Sequence, residues 1–187
     1  MPDSSQNNPL ALLAVDLQPA FLDVMQDGVS MKGRCLFALE VAALLGIPVF
    51  FTEQYPEKLG TTDEQIKTAA GTNAQYYSKT TFSAFGAKGL AEELSGKGVQ
   101  HLLLMGLEVP ICIYNTALEA SARDISCTLL SDCMSARRKA DIEVCLDFLR
   151  GRTDCHILPS ETVFYSLIRD AKDPLFRDFT KLVKKYS

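Results

Sequence analysis

Apolar residues fall along this chain in two alternating textures. Short, continuous, β-favouring runs occur at Leu10–Val15, Pro48–Thr52, Gln75–Ser78, Gln100–Met105, Ser126–Leu130 and Cys155–Leu158. A run that is apolar at successive positions, rather than at every second one, marks a strand buried on both faces, as in a parallel sheet covered by helices. Between the runs the spacing becomes helical. Phe37, Val41, Leu44 and Leu45 precede Gly46, and Ile142, Cys145, Leu146 and Leu149 precede Gly151, so each apolar stripe ends on a glycine stop. Within residues 170–187, Phe176, Phe179, Leu182 and Val183 predict a last amphipathic helix, with Lys181, Lys184 and Lys185 in its final turns, where cations suit the helix dipole. Strand and helix alternating in this way predict a three-layer α/β/α fold around a doubly wound, mainly parallel six-stranded sheet of Rossmann-type order. One polar stretch, Glu53–Asn73, interrupts the alternation and predicts a functional loop.

Composition narrows the picture. A chain of 187 residues fits one domain spanning 1–187, with the polar residues 1–9 as a flexible N-terminus. Hydrophobic residues at 47% and charged residues at 22% are the mix of an ordinary globular protein. The net charge of −4 gives no overall pull toward phosphate backbones or anionic lipid, so neither nucleic acid nor membrane is an expected partner. No apolar run approaches the ~18 residues of a membrane span. The start has neither an apolar core nor a basic residue before Lys32, which predicts a cytoplasmic protein. Six cysteines without a CxxC read as reduced thiols rather than a disulfide framework. Motifs for a phosphate loop, a dinucleotide fold, a zincin or a serine hydrolase do not occur.

In an open α/β sheet, ligands bind outside the carboxyl ends of the strands. The residues that follow the first four predicted strands are Asp16-Leu17-Gln18, Glu53-Gln54-Tyr55-Pro56, Lys79-Thr80-Thr81-Phe82 and Gly106-Leu107-Glu108-Val109-Pro110-Ile111-Cys112. Asp16 and Lys79 each end an apolar strand, where a charge is costly unless paired. Two readings fit them, a structural ion pair and part of a site. Cys112 stands where a helix is predicted to begin, over Ile113–Arg123. There, free N–H groups and the dipole would stabilise a thiolate and cradle an oxyanion. Its alternative reading is a small buried hydrophobe, as for the other five cysteines.

VDLQPAF around Asp16, SKTTFSAF around Lys79, GLEVPICIYNTALEASARDISCTLLSDCMSAR around Cys112 and the FTEQYPEKLG segment resemble, in order, the isochorismatase-like cysteine hydrolases, in their isochorismatase domain-containing branch. The resemblance implies a Cys112–Asp16–Lys79 triad. In it Asp16 takes the thiol proton, Lys79 partners the carboxylate, and Cys112 forms a thioester with a small amide, carbamoyl or ureide substrate. It also implies an oxyanion site at the backbone N–H groups of Cys112 and Glu108, and a cis peptide at Leu107–Glu108. Chemically, Val109–Pro110 is the competing cis position. Homo-oligomers are implied as well.

This chain departs from the nicotinamidase pattern. Glu53-Gln54-Tyr55 replaces a histidine-containing metal site, so no zinc and no cofactor are expected, and His101 and His156 are assigned to structure. Phe21, Gln54, Tyr55 and Phe82 are expected around the substrate, with core filling as the alternative for Phe21 and Phe82. Arg137-Arg138-Lys139 reads as a solvated helix start. Two other functions stand beside the hydrolase, a non-catalytic interaction or scaffold role on this fold, and the RNA processing with which some proteins of this branch have been labelled.

Overall fold

The computed structural model describes residues 9–187. Apart from Pro9, the segment expected to be a flexible N-terminus lies outside the described residues. Six strands, β1 (Leu10–Val15), β2 (Val49–Gln54), β3 (Gln75–Lys79), β4 (His101–Leu107), β5 (Ser126–Ser135) and β6 (Cys155–Leu158), form one sheet in the order β3-β2-β1-β4-β5-β6. Every pairing is parallel. The order reverses between β1 and β4, the switch point at which doubly wound sheets open a crevice.

The helices are α1 (Pro19–Leu22), α2 (Gly28–Leu44), α3 (Pro56–Leu59), α4 (Glu64–Ala70), α5 (Leu90–Gly96), α6 (Tyr114–Ser121), α7 (Lys139–Arg150), α8 (Ser160–Ile168) and α9 (Phe176–Lys185). They cover both faces of the sheet, and β1 shows how. Leu12 and Ala14 join a core with residues of α2, α4, α8 and α9, whereas Ala11, Leu13 and Val15 join a second core with residues of α5, α6 and α7. Successive side chains of a strand point to opposite faces, so the continuously apolar pattern is what a strand between two cores requires. No helix among the described residues is long and apolar enough to cross a membrane.

The stretch Glu53–Asn73 is not a plain loop. Gln54 still belongs to β2, and α3 and α4 follow. Asp63 caps α4 by accepting from the N–H groups of Gln65 and Ile66, the bond that frees a first helical turn from unsatisfied donors. Glu53 is buried, and its Oε1 accepts from the N–H and hydroxyl of Thr62 at 2.8 and 2.9 Å. The segment is therefore strapped to the strand that precedes it.

At the switch point the backbones of β1 and β4 come very close. Gly106 is the partner of Val15, has φ +122, and would place a Cβ 2.0 Å from the Val15 carbonyl oxygen. Both the dihedral and the space demand glycine. Gly106→Ala is accordingly expected to destabilise the fold by more than about 1 kcal/mol, read as a lower urea midpoint. A midpoint equal to that of the parent chain would show that β1 and β4 can separate at little cost.

Candidate active site

The site is assembled by three strand ends and one helix start. Beyond β1 the chain turns at Asp16, in the left-handed region at φ +54, which aspartate tolerates better than most residues. Its N–H bonds to the Thr52 carbonyl at 3.0 Å, so the residue stays on the edge of the sheet, where it is buried. The carboxylate is met on both sides. Thr52 Oγ1 donates to Oδ1 at 2.8 Å, and Lys79 Nζ donates to Oδ2 at 2.6 Å.

Lys79 reaches Asp16 across the end of β2, since β2 lies between β3 and β1. Gln54, the last residue of β2, accepts from Lys79 Nζ through Oε1 at 2.6 Å and donates through Nε2 to the Thr80 carbonyl at 3.0 Å. The Thr81 and Phe82 carbonyls complete the shell of the ammonium at 3.1 and 3.5 Å. Gln18, fully buried, pins this edge to the segment after β2: it accepts from Gln54 N–H at 2.7 Å and donates to the Gln54 and Gly60 carbonyls.

Cys112 lies in a π-helical turn, Val109–Ile113, that opens α6, and π turns recur at functional sites. Its Sγ is 3.6 Å from Lys79 Nζ. Asp16, Lys79 and Cys112, far apart in sequence, thus share one small volume. The peptide between Leu107 and Glu108 is cis, and Val109–Pro110 is not.

Burial sets the proton affinities. It pushes the Asp16 carboxyl above its ordinary value, a tendency opposed by the Lys79 charge and by hydrogen bonds from Lys79, Cys112 and Thr52. Burial, reinforced by the negative charge of Asp16, pushes the Cys112 thiol up to about 12, against the pull of Lys79. Burial and the neighbouring carboxylate thus oppose the thiolate stabilisation that a helix start offers. Removing the thiol from water and placing it beside a carboxylate both favour the protonated form.

A cavity of about 200 Å³ opens over these groups. It is lined by the polar or ionisable residues Asp16, Gln54, Cys112, Glu108 and Arg137 and by the apolar residues Phe21, Phe82, Leu107 and Ile111. A cavity of ~150 Å³ already takes benzene, and drug-sized ligands need upward of ~300 Å³. This space suits a small molecule of a few heavy atoms beyond a reacting group.

The expected residues meet different fates. Phe21, Gln54 and Phe82 line the cavity, and Tyr55 does not. Tyr55 has φ +43, and its ring lies under the Lys58 ammonium at 4.7 Å, so the turn after β2 carries it away from the cavity. Arg137-Arg138-Lys139 are exposed and lead into α7, as a solvated helix start would. Arg137 has a second role that this reading lacked: it pairs through Nε with Glu108 Oε1 at 2.9 Å and lines the cavity. Ile111 was also not foreseen. The strand-end rule, extended to the true end of β5 at Ser135, would have landed within two residues of Arg137. His101 lies at the opposite, amino end of β4, bonded to Ser126 and Thr128 and stacked on His156, in keeping with a structural role for both rings.

An isochorismatase domain family model matches residues 10–154. The Mus musculus isochorismatase domain-containing protein 2A is 34% identical over 189 residues, which cover 99% of this chain and 85% of that one. Among solved structures, a Caenorhabditis elegans protein described as MAR1 ribonuclease superposes with a TM-score of 0.87 at 26% identity, covering 95% of this chain and 91% of that one. The Escherichia coli ycaC gene product, described as an octameric hydrolase of unknown specificity, superposes at 0.83 with 18% identity, covering 97% and 95%.

The electrostatics can be read directly. Asp16→Asn removes the negative charge that, after burial, helps push the Cys112 thiol up to about 12 and leaves Lys79 in place, so the thiol pKa is expected to fall, read as the difference between the two chains in an ultraviolet titration of thiolate absorbance. An unchanged or higher pKa would mean that Asp16 does not act on the sulfur.

Proposed function

The chain belongs to the isochorismatase family, in its isochorismatase domain-containing branch, and from that premise we propose that it is a metal-independent cysteine hydrolase cleaving the C–N bond of a small amide, carbamoyl or ureide compound. The observation that carries this reading is the double contact of Lys79 Nζ, 2.6 Å from Asp16 Oδ2 and 3.6 Å from Cys112 Sγ. In this reading a nucleophile and a base line a cavity sized for a small substrate, with the cation in contact with both.

The chemistry follows from the two raised proton affinities. A neutral thiol attacks a carbonyl poorly, so the proton must pass to Asp16 as the S–C bond forms. A carboxylate whose pKa is raised by burial is the better acceptor for it. The carbonyl π pair becomes an oxyanion, which in this reading is held by the backbone N–H groups of Cys112 and Glu108. Lys79, in contact with carboxylate and sulfur, steadies whichever of them is negative. Collapse of the tetrahedral species breaks the C–N bond, and Asp16 returns its proton to the departing nitrogen. A water molecule, deprotonated by Asp16, then attacks the thioester, and cleavage of the C–S bond releases the acid and restores the thiol. The sum is amide plus water giving acid plus amine.

No metal enters these steps. Where the family's metal-binding members place a ligand set, Glu53 is engaged by Thr62. Homo-oligomeric assembly, the state described for the E. coli structure, belongs to the same reading. The ribonuclease description of the C. elegans protein would instead call for phosphodiester chemistry. Here the cavity wall carries two carboxylates, Asp16 and Glu108, each matched by a single cation, a poor surround for a polyanion.

Cys112→Ala is expected to abolish amine release, and Asp16→Asn to lower kcat by about 10²–10⁴. Since Asp16 must be ionised to act and its pKa is raised above the ordinary 3.8, activity is expected to decline on acidification from a pH above that value, tenfold per unit. Turnover that survives Cys112→Ala would overturn the reading.

A further inference from the structure

The side chains of Glu108 and Arg137 take no part in the steps above, yet they are an unusual element of the wall. Glu108 is buried between Leu107 and Val109, both themselves buried. Its carboxylate is held entirely by one residue, Oε1 by Arg137 Nε at 2.9 Å and Oε2 by the Arg137 backbone N–H at 3.1 Å. Arg137 is more than half exposed at 59%, against 8% for Glu108, and its terminal Nη groups meet no acceptor among the described residues. The pair also lines a second cavity of about 290 Å³ that shares Glu108, Ile111 and Arg137 with the first. It therefore stands where one cavity meets the next.

The charges around the cavity cancel twice over, Asp16 against Lys79 and Glu108 against Arg137. A carboxylate brought in with the substrate would add an unmatched negative charge beside two buried ones, which is costly away from water. An uncharged group with a donor and an acceptor side by side adds none. The lone pairs of Glu108 not used by Arg137 can accept an N–H, and the free Nη edge of Arg137 can donate to a C=O.

Resting on the hydrolase reading, we infer that the Glu108–Arg137 pair reads the far end of a neutral substrate, so that the preferred class is an uncharged compound bearing a second amide, carbamoyl or ureide group rather than a carboxylate. The pair is a specificity determinant, apart from the reacting atoms.

Succinamide and succinamic acid differ only in this second group, and two separate readouts divide the questions. Binding to Cys112→Ala, measured by calorimetry, tests the charge preference without turnover. Ammonia release by the unaltered chain tests the hydrolase reading. Succinamide is expected to bind at least tenfold more tightly than succinamic acid. Glu108→Gln, introduced beside Cys112→Ala, frees the Arg137 charge, and the ratio should fall at least tenfold or invert. Arg137→Gln, whose Nε2 can still donate to Glu108 and whose folding is checked by circular dichroism, removes the matching charge and should widen the ratio. Equal binding of the two compounds, binding of neither, or a ratio unmoved by both substitutions would overturn the inference. Binding with the expected preference but no ammonia release would instead count against the hydrolase reading.

Discussion

The contact between Lys79 and Asp16 organises the carboxyl edge of the sheet. Two opposite charges, both out of reach of solvent, can be held there only because every other valence is met. Thr52 takes the second carboxylate oxygen, and Gln54 and two carbonyls surround the ammonium. Desolvating such a pair costs several kcal/mol per ion, and removing one partner leaves a bare buried charge worth about 3–5 kcal/mol of destabilisation. The pair spans β1 and β3 over the end of β2, so three strands share one ionic brace. The segments that depart from them, with α1 and α3, are positioned by it. Gln18 and Glu53 extend the brace outward to Gly60 and Thr62.

Upon this edge the cavity is neutral by compensation rather than by being apolar. Each carboxylate on its wall has one cation, and the two ion pairs differ in exposure. The Asp16–Lys79 pair is sealed, while Arg137 remains half in water. The sealed pair has the character of a proton-handling unit, since its surroundings hold both the carboxyl and the neighbouring thiol above their ordinary affinities. The half-exposed pair has the character of a contact surface. One small space thus touches two ion pairs of different exposure to water.

Much of this was legible in the chain. The bounds of β1 and β6 match the apolar runs, and the doubly wound sheet follows from their continuity. Asp16, Lys79 and Cys112 stand out because a charged or polar group at the end of an apolar strand demands an explanation. The boundaries failed where function begins. The runs stop at Thr52, Ser78, Met105 and Leu130, but the strands continue to Gln54, Lys79, Leu107 and Ser135. Those extra residues are polar, small or irregular in register, as where β5 shifts against β4 between Leu104 and Gly106. Their side-chain partners lie elsewhere along the chain, as Asp16 for Lys79, Thr62 for Glu53 and Ser160 for Asp132, and a local pattern does not register such compensation. The Glu108–Arg137 pair was hidden for the same reason, since a contact across two loops leaves no periodic trace. Tyr55 misled because a left-handed turn reverses the direction that strand alternation would give it.

The state of the Cys112 sulfur has a bearing on the protein's chemical durability. Peroxide and other cellular oxidants attack thiolates, and their selectivity among cysteines follows thiolate character and access. Burial and the Asp16 charge push the Cys112 thiol up, which disfavours the anion that oxidants attack, and the residue itself is buried. Formation of a sulfenic acid is therefore disfavoured at this sulfur relative to an exposed, acidic cysteine. The surroundings that withhold the proton from solvent also shield the group from that chemistry.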